Sequence, residues 1–183
     1  MLLCMERDIE HILFTKEKLS DCVQRLAEEI NRDFEGKAPV VVGILQGSFV
    51  FLADLVREIK LPISVEFMSV SSYGSDTRSS GEVNIRLDMS QDISGRDVIL
   101  VEDILDSGNT LSRLIPKLLE RNPASLKVCV LLDKPSRREK EVPVDYRGFS
   151  IHDAFVVGYG LDFDQKYRNL PYIGILKPAV YTK

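Results

Sequence analysis

Two kinds of apolar pattern alternate along the chain. Short apolar runs rich in β-branched residues occur at Val40 to Leu45, Val98 to Val101 and Lys127 to Leu132, and suit strands buried on both faces. Between them apolar residues return at helical spacing: Leu19, Val23, Leu26, Ala27 and Ile30; then Phe51, Leu52, Leu55, Val56 and Ile59; then Leu111, Leu114, Ile115, Leu118 and Leu119. Thr15 stands where the first helix needs a cap, with Lys18 as its third helical residue, and the helix is expected to end near Asp33 to Gly36. Further strands are predicted over Ile63 to Val70, Glu82 to Leu87 and Tyr172 to Leu176, with short extended pieces at Val142 to Val144 and Phe149 to Ile151. Residues 6 to 14 read as a mixed lead-in, with His11 at a surface or edge. The alternation predicts an α/β class: one domain with a mostly parallel central sheet and helices on both faces.

The polar stretches carry the chemistry. Glu102 and Asp103 follow the buried run Val98 to Val101 directly and are expected to mark that strand's carboxyl edge, where open α/β sheets place their ligands. Asp106-Ser107-Gly108-Asn109-Thr110 then turns the chain into the third helix. Such a turn is an anion cradle: free backbone N–H groups and the positive helix end face the ligand, Gly108 permits close approach, and Ser107 and Thr110 add hydroxyls. Carboxylates repel phosphate while the loop beside them attracts it, so the ligand must carry both kinds of group. A ribose 5-phosphate does, donating vicinal hydroxyls to Glu102 and Asp103 while its phosphate occupies the loop. A second polar stretch, Ser71 to Glu82, reads as a mobile loop of the length found in lids.

Composition narrows the field only a little. The 183 residues are 44% apolar and 28% charged, as in an ordinary globular domain with a substantial core. A net charge of −4 argues against a nucleic-acid partner. Cys4, Cys22 and Cys129 lack metal-ligand spacing and read as thiols of a reducing compartment. The apolar start, Met1 to Met5, is too short for a signal core or membrane span, so the cytoplasm is the expected location.

The thirteen residues Val98 to Thr110, V-I-L-V-E-D-I-L-D-S-G-N-T, resemble the signature of the purine phosphoribosyltransferases. The likeness runs in order from about Val40 to Ile175. It is nearest to the bacterial hypoxanthine (6-oxopurine) group through Leu131 to Arg138 and Phe155 to Gly160. It implies the type I phosphoribosyltransferase fold, with a small hood for the base formed by the lead-in and about 145–183. The implied reaction is transfer of 5-phosphoribosyl from 5-phosphoribosyl 1-pyrophosphate to hypoxanthine, and to guanine, giving IMP or GMP and pyrophosphate in purine salvage.

The resemblance also implies roles. Asp106 would be the general acid/base, handling the proton on the five-membered ring of the purine. Ser72 and Tyr73 would belong to a lid that excludes water. Gln46, Gly47, Glu102, Asp103, Ser107, Gly108, Asn109, Thr110, Arg138 and Arg168 would bind the phosphoribosyl and pyrophosphate groups. Relatives often carry Lys at the position of Gln46, which keeps the hydrogen-bonding capacity without the charge. Lys134 would donate to the 6-oxo group, Phe155 would stack on the purine and Val156 would meet its edge through the backbone. Magnesium is the implied metal, with Glu102, Asp103 and Asp162 on its side. A homodimer or homotetramer is expected, without membrane or nucleic-acid partners. Two alternatives stand beside this: a guanine- or xanthine-preferring relative, and a regulator that senses phosphoribosyl pyrophosphate and binds nucleic acid.

Overall fold

The computed structural model describes residues 5–71 and 84–182. Ser72, Tyr73 and Cys4 therefore lie outside the described residues. In chain order the elements are β1 (Ile9–Phe14), α1 (Lys16–Asp33), β2 (Val40–Leu45), α2 (Phe49–Glu58), β3 (Ser64–Ser71), β4 (Asn84–Leu87), β5 (Asp97–Leu105), α3 (Asn109–Leu119), β6 (Ser125–Asp133), a 3₁₀ turn (Pro135–Arg137), β7 (Tyr146–Ser150), β8 (Val156–Val157), β9 (Ile173–Leu176) and α4 (Pro178–Tyr181).

Six strands form the main sheet in the order β4-β3-β2-β5-β6-β7, parallel except for the antiparallel edge strand β4. The fold class expected from the alternation is thus the one observed. α1 and α2 cover one face, burying Leu19, Leu26, Ile30, Phe51 and Leu55 against Val41, Ile99, Val101, Cys129 and Leu131. α3 covers the other, where Leu111, Leu114 and Leu118 meet Val42, Leu100, Val128 and Val130. Successive strand residues point to opposite faces, which is why one continuous apolar run supplies both cores. Thr15 caps α1 as its position predicts, its hydroxyl accepting from the Lys18 amide at 3.4 Å.

Three details depart from the sequence expectation. β5 does not stop at its carboxylates: Glu102, Ile104 and Leu105 pair in register with Val130, Leu132 and Asp133, because the ladder needs backbone groups and tolerates polar side chains that face a cavity. The lead-in contains a strand, β1, which pairs with β9 and, through it, β8 in a small antiparallel sheet. That small sheet is the hood, and Tyr146–Ser150 pairs with β6 in the main sheet instead of joining it. Among the described residues no helix is long and apolar enough to cross a membrane.

Candidate active site

β2 leads through α2 to β3 on one side of the main sheet, whereas β5 and β6 extend from the other side of β2. The carboxyl ends of β2 and β5 therefore flank the point where strand order reverses, the place where open α/β sheets leave a crevice. A cavity of about 700 Å³ opens there. Its walls come from Ile44 to Gly47 after β2, from Glu102, Asp103, Ile104 and Asp106 of β5 and the turn beyond it, and from Lys134 and Arg137 after β6. Asp153 to Val156, Leu161, Asp162, Arg168 and Tyr181 complete it from the hood side. A second cavity of about 540 Å³, between α1, α2 and Tyr159 to Pro171, shares Arg168 with the first but is reached by none of Glu102, Asp103, Asp106 and Lys134.

Asp103 is 9% exposed, and its Oδ1 accepts from the Ile104 amide at 2.8 Å. A Cβ on Gly47 would stand 1.6 Å from Asp103 Oδ2, so only glycine lets the turn after β2 rest against this carboxylate. The Leu45 to Gln46 peptide in that turn is cis. Burial pushes the Asp103 carboxyl up to about 6, against the pull of the Ile104 amide and Arg168. Glu102 is driven well above the usual carboxylate range by burial and then by the charge of Asp103, and its Oε2 is buried without a hydrogen-bond partner. Two neighbouring acids on one cavity wall, one with a buried unsatisfied oxygen, offer acceptors to cationic or hydroxyl groups.

The turn 106–110 has the cradle form. Gly108 has φ +82° and precedes the first turn of α3 without a side chain to cap it, while the Ser107 hydroxyl accepts from the Asn109 amide at 3.3 Å. A Cβ there would lie 2.2 Å from the Lys140 carbonyl oxygen. The turn is held from behind: the Ser107 carbonyl accepts from the Glu139 and Lys140 amides at 2.9 and 3.0 Å, and Asn109 Nδ2 donates to Glu139 at 2.8 Å. Asp106 does not cap the helix. Its Oδ1 is buried without a hydrogen bond, 3.5 Å from Arg137 Nε.

Lys134 is 6% exposed, with Nζ donating to the Ala154 carbonyl at 2.7 Å. Phe155 lies edge-on to Phe163 and stacked with Tyr181, centroids 4.8 Å apart, while Val156 is buried in β8. Arg168 bridges the cavity rim, donating to the Gly160 carbonyl at 2.7 Å, to Gln46 Oε1 at 3.3 Å and pairing with Asp162 at 2.8 Å.

Arg138 stands outside the cavity lining, its guanidinium engaged by Asp133 and by the Asp106 carbonyl at 2.7 Å, so that it braces the turn from behind. Asp162 lines the cavity paired with Arg168, and among the described residues no three acidic, His or Cys side chains cluster so as to hold a metal unaided. Arg137, Asp153 and Tyr181 face the cavity and were not singled out in the sequence. Arg137 differs from Arg138 only in the phase of the 3₁₀ turn, and Tyr181 reaches the site from the last helix.

Comparison with known proteins agrees with this geometry. The profile of the phosphoribosyl transferase domain matches residues 12–164. The hypoxanthine-guanine phosphoribosyltransferase of Bacillus subtilis is 47% identical over 97% of this chain and 98% of its own, and that of Streptococcus pneumoniae (strain R6) is 48% identical over 97% and 99%. The crystal structure of a hypoxanthine phosphoribosyltransferase from Staphylococcus aureus superposes with a TM-score of 0.94 at 44% identity, covering 98% of each chain. With its crevice at the sheet's reversal point, its paired acids and its anion-binding turn, this chain belongs to the phosphoribosyltransferase family, in the hypoxanthine-guanine branch.

Proposed function

We propose that the protein transfers the 5-phosphoribosyl group of 5-phosphoribosyl 1-pyrophosphate to N9 of hypoxanthine, and of guanine, releasing pyrophosphate. The observation that carries this is one cavity lined by an acid pair, by Asp106 at the head of the turn that opens α3, and by a buried ammonium. The turn 106–110 receives the 5-phosphate on its amides and hydroxyls. The ribose hydroxyls donate to Glu102 and Asp103, of which Glu102 has a buried oxygen without a hydrogen-bond partner. Gln46, the Gly47 amide and Arg168 face the pyrophosphate.

As the N9–C1′ bond forms, the bond from C1′ to pyrophosphate breaks, and the five-membered ring gives up its proton to Asp106. Asp106 lines the cavity with a side chain that is 44% exposed, which leaves its carboxylate within reach of an incoming base. Lys134, having three donors and no acceptor, favours a 6-oxo over a 6-amino group, and Phe155, backed by Tyr181, supplies the aromatic wall. Magnesium would fit this donor set, since an ion that keeps water and substrate oxygens in its shell needs only one or two protein carboxylates, and it would supply the charge that neutralises the leaving group. Glu102 and Asp103 are the residues that would hold it, with Asp162 towards the pyrophosphate side. Ser72 and Tyr73 are assigned to the lid on the family pattern alone.

Homodimer or homotetramer formation is part of this reading, supported by the exposed apolar side chains Val65, Phe67 and Leu87 near the sheet edge and checked by light scattering. A cytoplasmic location accords with it. The test of function is a steady-state comparison of hypoxanthine, guanine, xanthine and adenine as acceptors with phosphoribosyl pyrophosphate and magnesium. Turnover of the 6-oxopurines with adenine inert is expected; consumption of none would favour the regulator.

A further inference from the structure

Two basic side chains of the turn after β6 face one carboxylate from either side. Asp153 Oδ1 stands 3.8 Å from Lys134 Nζ, and its Oδ2 stands 3.6 Å from Arg137 Nη1. Arg137 reaches on to Asp106, Nε to Oδ1 at 3.5 Å. The charges alternate in sign: Lys134, Asp153, Arg137, Asp106. Without Asp153 the ammonium and the guanidinium would face each other across a partly dehydrated cavity wall, where like charges repel more strongly than in water.

Exposure is unequal along this row. The Lys134 side chain is 8% exposed and that of Asp153 54%. The ammonium is thus the dehydrated member that gains from a counter-charge, while the carboxylate stays in contact with water. Its other hold is the Ala154 carbonyl at 2.7 Å, from the residue next to Asp153. That carbonyl takes one of three N–H donors; Asp153, too distant for a hydrogen bond, acts by charge and leaves the remaining donors for substrate. The same short segment continues into Phe155 and Val156, so the groups that aim the ammonium and the wall that receives the base share one stretch of backbone.

We infer that Asp153 is a positioning residue for base selection, directing the Lys134 ammonium towards the acceptor at the purine 6-position and holding Arg137 beside Asp106. This rests on the reading of the cavity as a 6-oxopurine site. The test measures kcat and both KM values for the full-length protein carrying Asp153→Asn or Asp153→Glu, and for Asp153→Asn combined with Lys134→Ala. Asp153→Asn should raise the hypoxanthine KM about three- to fivefold, the size expected of a half-exposed charge pair, with the phosphoribosyl pyrophosphate KM changed less than about twofold. Asp153→Glu should recover most of the loss, and in the Lys134→Ala background Asp153→Asn should add nothing further. An unchanged hypoxanthine KM, an equal rise for both substrates, or the same rise with Lys134 already removed would overturn the inference. Failure of the unmutated protein to use any 6-oxopurine would overturn the functional reading with it, and is seen before any variant is made.

Discussion

Asp103 should be a burden on the empty protein and an asset to the loaded one, and substitution by Asn separates the two. Burial holds its carboxyl at about 6 rather than 3.8 in the folded chain, a difference of roughly 3 kcal/mol. Because the folded value lies above the unfolded one, the ionised form is the disfavoured form. The penalty is absent below about pH 4, grows as pH rises through about 6, and is complete above it. Asp103→Asn removes it. The new amide can keep the acceptor role towards Ile104 but places an N–H where Oδ2 rests beside Gly47, which returns about 1 kcal/mol. The net gain is about 2 kcal/mol at pH 7.5, or about 4–8 °C in melting temperature for a chain of this length, and it should shrink towards zero at pH 4.5. With magnesium and phosphoribosyl pyrophosphate at about 100 times Kd, the unmutated protein should gain about 2.7 kcal/mol that the variant lacks, cancelling or reversing the order. Calorimetric melts with and without chelator at the two pH values provide the assay. A variant less stable than the parent at pH 7.5 without ligand, or a difference independent of pH, would refute the reasoning.

Other outcomes follow from the same geometry. Asp106→Asn should lower kcat by about 10²- to 10⁴-fold with little change in phosphoribosyl pyrophosphate affinity, and near-normal turnover would remove its acid/base role. Gly108→Ala, facing both φ +82° and a carbonyl oxygen at 2.2 Å, should melt several degrees lower and bind phosphoribosyl pyrophosphate at least tenfold more weakly by calorimetry. Chelation of divalent ions should abolish turnover, and the magnesium concentration giving half-maximal rate should climb as pH falls below about 6, where Asp103 takes up its proton. Arg138→Ala should reduce melting temperature, because Asp133, 2% exposed, would keep only Arg147 as its charged partner.

The helices and the parallel strands were legible because each depends on local pattern: the stripe from Leu19 to Ile30, or the run from Val128 to Leu132, states its own burial. β1 was not, since Ile9–Phe14 becomes a strand only by pairing with Ile173–Leu176, about 160 residues away. Side-chain direction was the other gap. Glu102 and Asp103 were recognisable as a pair at the ligand edge, yet whether the ladder ended there depended on β6 as partner. Arg137 and Arg138 are alike as residues, and only the turn that carries them sends one to the cavity and the other to Asp133. Asp153 gave no signal in the sequence because its significance comes from two cations on a different strand end.

A crystal structure of the protein with IMP, magnesium and pyrophosphate would test the central claim most directly. The account predicts the 5-phosphate on the amides of residues 106–110, the ribose hydroxyls within hydrogen-bond distance of Glu102 or Asp103, and the purine oxygen beside Lys134 Nζ. A nucleotide seated in the cavity between α1 and α2, or a ribose turned away from both acids, would contradict it.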